Sequence, residues 1–429
     1  MIITKNRQKV KKISISLISK LDRVISLPLK KFILEMCFGM ITTGSCNINL
    51  IAGKLNESSF VKHTVKRLQR MLLHCKVFHF ANKLSLDTCI SKVCDESIIA
   101  LDDGDIVHQY GKKFDKIAPV KDGSSGDIKP GYWLNQASGF NPSTQETFPL
   151  QVSIYSTKEK GFKSANNEGF KTVDKVISRI GVKGLWVMDR GYDGGEYFHY
   201  FLKNNLNFMI RMNKTRNLIY RDKSVNINGL AKSINRRIRF SQVAKFGSMK
   251  VKILVKKKEH EMTLICYKDK RNKEPMIFLT NGWIKSTKEL KRRIRGYFHR
   301  WGVEVCYRFE KQGFGIEKSK TRNYDRIKTL LGLTLISWLI LIKINEQPKL
   351  KESVLKNAKM EKDKIKNRPK FIYYRIQRGI QNLFEGIKRL FLFRLKRKQK
   401  QEIIKKKMSE MPLFNKLKIN DFQLLEEVA

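Results

Sequence analysis

Tyr297 to Lys311 reads YFHRWGVEVCYRFEK. Within it Tyr297, Arg300, Glu304 and Lys311 follow one another at spacings of three, four and seven. At about 100° per residue those positions fall within a ~60° stripe of one helix. The stripe sets a carboxylate between two cations and a phenol, a group able to hold a metal beside a phosphodiester and to clamp the phosphate oxygens. Phe298, Gly302, Val305 and Phe309 recur as i, i+4, i+7 and i+11. That pattern predicts an apolar face in a core, so a single helix opened by Thr287 would carry its polar stripe beside buried surface. Arg300 and Arg308 lie four residues either side of Glu304. An exposed salt-bridge ladder is therefore the plain alternative for that acid.

Outward from this helix the chain reads as mixed α/β. Ile98-Ile99-Ala100-Leu101 is a short apolar run of the kind found in a buried strand, ending in Asp102-Asp103-Gly104-Asp105. Tyr132-Trp133-Leu134 and Phe148 to Tyr155 predict two more strands, joined through the turn-forming Asn141-Pro142-Ser143. A helix over about Phe170 to Ile180 follows. Leu185-Trp186-Val187-Met188 then predicts a strand ending at Asp189, a helix spans about Glu196 to Asn204, and Phe208-Met209-Ile210 gives a fifth strand. Meandering strands followed by helix–strand alternation indicate one mixed sheet. Residues 214–275 read as a β-rich insertion, with Val251, Ile253 and Val255 alternating. Met276 to Leu279 returns to the main domain, and a long helix runs from Tyr324 to about Ile344.

This divides the chain into residues 1–95, 96–345 and 346–429. The first region is helical and is expected to bind DNA. An apolar segment at Phe32 to Ile41, the turn Thr43-Gly44-Ser45, a short helix at Ile48 to Leu55 and a basic stretch from Val61 to Leu73 have the order of a helix-turn-helix. A helical bundle with basic exposed faces has the same order. The last region opens with a lysine-rich segment to Asp363 that reads as a solvated linker. One or two basic amphipathic helices over 369–407 follow, then an acidic, mobile end.

Lys and Arg total 88 against 39 acids in 429 residues, a formal charge of +49, and 41% of residues are hydrophobic. The chain can bury a core, and its charge favours a polyanion, nucleic acid first. Seven cysteines without a Cys-x-x-Cys pair imply neither structural zinc nor a disulfide framework, and no secretion signal is evident. The longest apolar run, Leu330 to Ile342, is shorter than the ~20 residues a bilayer span needs, so a core helix and no membrane partner are expected.

Asp102 and Asp189 each follow an apolar strand, and Glu304 would join them from the helix. Three converging acids repel one another unless cations lie between them, the arrangement that two Mg2+ ions about 3.5–4 Å apart exploit. Taken one at a time, the aspartates are also ordinary turn and cap residues. Asp103 adjoins Asp102 on the opposite strand face, and a different register would put it in the place of Asp102. Arg211, after the fifth strand, is a further phosphate contact or a solvated sheet-edge arginine. Trp283 and Trp301 either stack on an unpaired base or fill the core.

Tyr297, Arg300, Glu304 and Lys311 fit Tyr-x2-Arg-x3-Glu-x6-Lys without a gap. This closely resembles the signature of bacterial insertion-sequence DDE transposases of the insertion-sequence-four type. SIIALDDGDI and LWVMDRGYDGGEYF are similar to that family's two aspartate blocks, and the resemblance covers about Ser97 to Ile344. It implies an RNase H-like catalytic domain interrupted by a β-rich insertion before the glutamate helix. The 114 residues between Asp189 and Glu304 independently suggest that insertion. Asp102, Asp189 and Glu304 would bind two Mg2+ ions, with Mn2+ able to substitute, and Tyr297, Arg300 and Lys311 would contact phosphates at the transposon end. The implied activity is cut-and-paste transposition of double-stranded DNA, on terminal inverted repeats and target DNA, by a homodimer at the bacterial nucleoid in the cytoplasm. The basic C-terminal helices would supply the dimer contact. An RNase H-like nuclease without strand transfer and a non-catalytic DNA-binding regulator are the competing readings.

Overall fold

Apolar residues at helical spacing, punctuated by caps, build the N-terminal region. Helix α1 (Ile2–Ser19) is followed by α2 (Leu27–Thr43), which opens with Pro28 and ends at Gly44. The φ of 64° at Gly44 is left-handed, where a side chain would be strained. The Asn47 side chain caps α3 (Ile48–Leu55) by accepting from the Asn49 N–H, and α4 (Val61–Met71) and α5 (Lys76–Cys89) complete the region. Arg67 of α4 is bonded to Glu35 at 2.7 Å and to Glu57 at 2.9 Å, leaving Lys62, Lys66 and Arg70 exposed. The computed structural model describes residues 2–20, 25–74, 76–111, 113–272, 274–358 and 371–385, all within one compact unit.

Next come β1 (Ile98–Val107), β2 (Ala118–Lys121), β3 (Ile128–Asn141) and β4 (Glu146–Tyr155). They are followed by α6 (Ala165–Ile180), β5 (Leu185–Met188), α7 (Gly195–Lys203) and β6 (Asn207–Arg211). Strand β3 pairs antiparallel with β1 and β4, while β5 runs parallel to both β1 and β6. The central order is therefore β4-β3-β1-β5-β6.

The stretch expected as an insertion holds β7 (Asn217–Tyr220), β8 (Lys223–Asn226), α8 (Ile227–Ser233), β9 (Ile238–Arg239), β10 (Ala244–Val255) and β11 (Lys258–Asp269). Strand β12 (Met276–Asn281) pairs antiparallel with both β6 and β11. The β-rich stretch thus extends the main sheet, which reaches twelve strands among the described residues.

The helix expected from Thr287 through Lys311 is broken. It consists of α9 (Thr287–Phe298), α10 (Trp301–Arg308) and a π-helical turn, Phe309–Gly313. At the break the backbone tightens to i→i+3 bonds, with Arg300 N–H donating to Tyr297 O at 3.0 Å and Val303 N–H to Arg300 O at 2.9 Å. The His299 ring stacks on Phe140 of β3 at 3.7 Å. The single polar stripe therefore does not form. The face turned to the core is Val303, Cys306, Tyr307 and Glu310, whereas Phe298, Gly302 and Val305 are only half-buried and Phe309 alone of the expected apolar stripe is buried.

Helix α11 (Tyr324–Asn345) has 22 residues and holds an 18-residue stretch apolar enough to cross a bilayer by length and composition, longer than the apolar run read from sequence. Of that stretch 89% is buried, and α11 packs against α5 and α2 as a core helix. The lysine-rich segment expected as a linker contains α12 (Pro348–Asn357), which buries Leu350 and Val354. Helix α13 (Ile372–Leu383), in the basic region expected to supply a dimer contact, buries Tyr373, Ile376 and Ile380 within the chain. The remainder of the expected 369–407 helices and the acidic end lie outside the described residues.

Candidate active site

Strand β1 does not stop at the acidic cluster. It runs through it, so Asp102 is a mid-strand residue opposite Gln136 and not a strand terminus as expected. Asp189 does end β5, and its Oδ1 accepts the Gly191 N–H at 2.8 Å, capping the tight turn Arg190–Tyr192. The parallel register pairs Ala100 with Val187, and two residues further along both strands stand Asp102 and Asp189. Neighbouring strands are about 4.8 Å apart, so both acids leave the sheet at one edge. Glu304 lies in the first turn of α10, which packs across β1 and β3.

Arg300 joins these elements. Its Nη1 donates to Asp102 Oδ2 at 2.6 Å and its Nη2 to Glu304 Oε1 at 3.0 Å. Burial pushes the Asp102 carboxyl up to about 7, opposed by Arg300 and reinforced by the charges of Asp189, Asp103 and Glu304. Burial disfavours the Arg300 charge, but the fields of Asp102, Tyr297, Glu304 and Asp189 outweigh it and hold that pKa above its usual value. The three acids thus share one electrostatic neighbourhood. Even so, among the described residues no three carboxylate, imidazole or thiol groups stand close enough to cage a metal. The guanidinium occupies carboxylate oxygens that a cation would need. As a donor set, three hard carboxylates that repel one another suit a divalent ion.

Asp103 is held differently. Its Oδ1 accepts from Asn135 Nδ2 at 2.8 Å, and the same amide reaches the buried Tyr192 hydroxyl at 3.2 Å. Burial raises Asp103 to about 6, with Asp189 adding and Asn135 and Tyr192 opposing. Asp102, not Asp103, meets the glutamate helix.

Tyr297 is only 4% exposed, its ring lying against Phe278 at 4.5 Å and under the Arg300 guanidinium at 5.8 Å. Its phenol is raised by burial and eased by the charges of Arg300 and Arg211, so Arg211, half-buried at the end of β6, faces the same site. Lys311 pairs with Asp105 at 2.6 Å and Glu317 at 3.2 Å. A cleft of about 820 Å3 runs from Asp102, Asp103 and Glu304 past Arg308 and Lys311 to Lys129. Trp301 is 60% exposed and so is not a core residue, and Trp283 is 39% exposed with Lys250 4.8 Å above its ring.

Tyr307 escaped the sequence reading. Its hydroxyl donates to the Asp102 carbonyl at 2.6 Å, and its ring lies so close to Gly104 that a Cβ there would be 2.9 Å from it. A glycine among strand acids, with a tyrosine three residues beyond Glu304, was the available signal. Glu310 also escaped, being buried at 1% exposure with neither carboxylate oxygen bonded.

Residues 132–340 match the family described as Transposase DDE domain. That span holds Asp189, Arg211, Tyr297, Arg300, Glu304 and Lys311 and begins beyond Asp102. The match spans just under half of the chain and supports a DDE transposase with the activity of a DNA transposase. DDE transposases are generally dependent on divalent metal. No curated protein is a significant match. A piggyBac transposase synaptic complex with hairpin DNA aligns at 14% identity over 92% of this chain and 81% of that chain, with a TM-score of 0.44. Ciona intestinalis Endonuclease V, in complex with a 24mer DNA containing an inosine followed by a ribo-adenosine, aligns at 10% identity over 50% of this chain and 87% of that chain, with a TM-score of 0.23. Similarity at these levels does not define a shared fold.

Proposed function

We propose that this is a cut-and-paste transposase of the insertion-sequence-four type on an RNase H-like sheet, with Asp102, Asp189 and Glu304 as its metal-binding acids. The observation that carries the reading is Arg300 bonded at once to Asp102 of β1 and Glu304 of α10, beside Asp189 of β5. Residues 87 and more apart in sequence are drawn to one sheet edge, where a salt-bridge ladder confined to α10 would need neither strand. The order β4-β3-β1-β5-β6, three antiparallel strands and then two parallel to the first, supports the RNase H-like assignment.

A pair of Mg2+ ions, or Mn2+, would polarise the scissile phosphodiester and activate the attacking water or 3′ hydroxyl. Arg300 keeps the acids compatible until then and is placed to turn its fork to phosphate oxygens. Lys311 would follow by leaving Asp105 and Glu317. Tyr297, being buried, supports Arg300 from beneath in place of the direct phosphate contact that the resemblance implies, and Arg211 adds positive charge on the β6 side. Tyr307 fixes the β1 backbone at Asp102. The substrates are terminal inverted repeats and target duplex, bridged by a homodimer at the bacterial nucleoid.

The test is strand transfer with the full chain, a pre-cleaved terminal-repeat end and a target duplex in Mg2+. Joined product is expected, and cleavage without joining would leave a nuclease. Glu304→Gln should lower cleavage at least about a thousandfold, on the scale of losing a principal electrostatic group, while DNA binding persists. Unchanged activity in that variant would leave a non-catalytic regulator.

A further inference from the structure

The end of the β10–β11 ribbon nearest the acids carries a second, unassigned feature. A pocket of about 560 Å3 there is lined by Arg236, Arg237, Arg239, Lys245, Lys268 and Lys270 and by no carboxylate. Among the described residues Arg237, Arg239, Lys245 and Lys270 are exposed and form no ion pair. The acid nearest in sequence, Asp269, is taken by Arg271 at 3.0 Å. At the opposite end of the same ribbon Lys252 pairs with Glu259 at 2.8 Å, beside the exposed Lys256, Lys257 and Lys258 of the turn. Six cations around one cavity repel one another unless a polyanion covers them.

We infer that this basic mouth is a second DNA-backbone site, which grips duplex roughly six base pairs from the reacting phosphate, at 3.4 Å of rise per pair. The inference deepens the transposase reading and rests on it. Its register follows from the sheet. Arg211 at the end of β6 pairs with Phe278, Met276 with Tyr267, and Asp269 with Ala244. The mouth therefore lies on the same sheet edge as Asp189 and Arg211. It stands three strand spacings from β6 and four from β5, about 14 and 19 Å at about 4.8 Å each. The mount is rigid. Arg236 donates to the Ala231 carbonyl at 3.2 Å, while Phe240 packs on Tyr267 at 5.3 Å and lies 6.2 Å from Phe298 at the end of α9. A duplex with its scissile phosphate at the acids would thus lay one backbone across fixed cations.

The test measures binding of a fluorescent 40-base-pair mixed-sequence duplex to the full chain without divalent metal, by anisotropy across a salt series. The mouth variant Arg237→Ala/Arg239→Ala/Lys270→Ala is expected to bind about tenfold more weakly near 0.15 M salt. Its slope of log K against log salt should flatten by roughly 2–3, at ~0.9 for each phosphate that is no longer neutralised. A control variant on the opposite sheet edge, Lys183→Ala/Lys203→Ala/Lys256→Ala, should retain the wild-type slope, and the thermal transition of all three proteins should agree. Arg239→Lys keeps the charge and should bind as wild type, a check independent of the triple variant's folding. Equal slopes for mouth and wild type, or equal losses in mouth and control, would overturn the inference alone. A wild-type chain that binds no duplex would overturn the transposase reading itself. Displacement of duplex by an equal charge of poly-glutamate would assign the mouth to an acidic polypeptide instead.

Discussion

Arg300 is the residue on which the site turns, because one guanidinium serves two carboxylates that would otherwise face each other. Both Arg300 and Asp102 are largely withdrawn from water, at 9% and 15% side-chain exposure. Breaking such a pair costs on the order of 3 kcal/mol, since the remaining charge is left uncompensated. Arg300→Ala should therefore lower the melting temperature in metal-free buffer. Mg2+ should restore more stability to the variant than it adds to the wild type, read by thermal melts with and without the ion. At Gly104 a methyl group would press on the Tyr307 ring, and Gly104→Ala is expected to cost about 1–3 kcal/mol through overpacking. Denaturant unfolding would measure that loss. Glu310 behaves oppositely to a surface acid, because burial pushes its carboxyl up to about 8 with no partner to offset it. The folded protein holds that proton and the unfolded chain, near 4.5, does not. The stability it contributes is therefore complete below pH 4.5 and is lost as pH rises toward 8. Glu310→Gln should raise the melting temperature by roughly 2 °C or more at pH 8 and much less at pH 5, on a scale of about 2–4 °C per kcal/mol.

Between α9 and α10 the chain shows why periodicity alone misplaces side chains. A continuous helix is the local expectation over Thr287 to Lys311, and both stripes depend on it. The His299 ring stacks on Phe140, which follows from β3 lying beneath, and the resulting i→i+3 bonds rotate α10 relative to α9. Tyr297 is thereby turned into the core while Trp301 and Glu304 are left open. Strand β1 makes the same point. Asp-Asp-Gly-Asp reads as a turn by composition, yet every residue from Ile98 to Val107 has a partner on β3. Pairing across the sheet overrides local preference where the neighbouring strand supplies the hydrogen bonds. Helix α12 was likewise illegible, since only Leu350 and Val354 among its lysines are buried and their partners come from other helices. Gly379 of α13 lies directly against the Val354 carbonyl. Gly379→Leu is therefore expected to pry α13 from α12 and to speed proteolytic removal of residues beyond Asn357, as limited proteolysis would show.

For the molecule as a whole, a charge of +49 on a chain with a real core means that duplex binding should fall steeply with salt. A shallow slope for the wild-type chain would count against every DNA-bound reading. What the sequence determined by itself is the class of element and the chemistry on offer: four apolar residues before Asp189, the alternation of β10, the long apolar run of α11, the acids, and the cationic excess. These are local or additive, and physical chemistry reads them without a partner. Where Asp102 sits in its strand, how α9 breaks, that Arg300 spans two carboxylates, and that six cations collect on the edge bearing Asp189 were decided only by tertiary structure. Each depends on groups brought together by strand register and by packing between segments distant in sequence, and no local pattern encodes that distance.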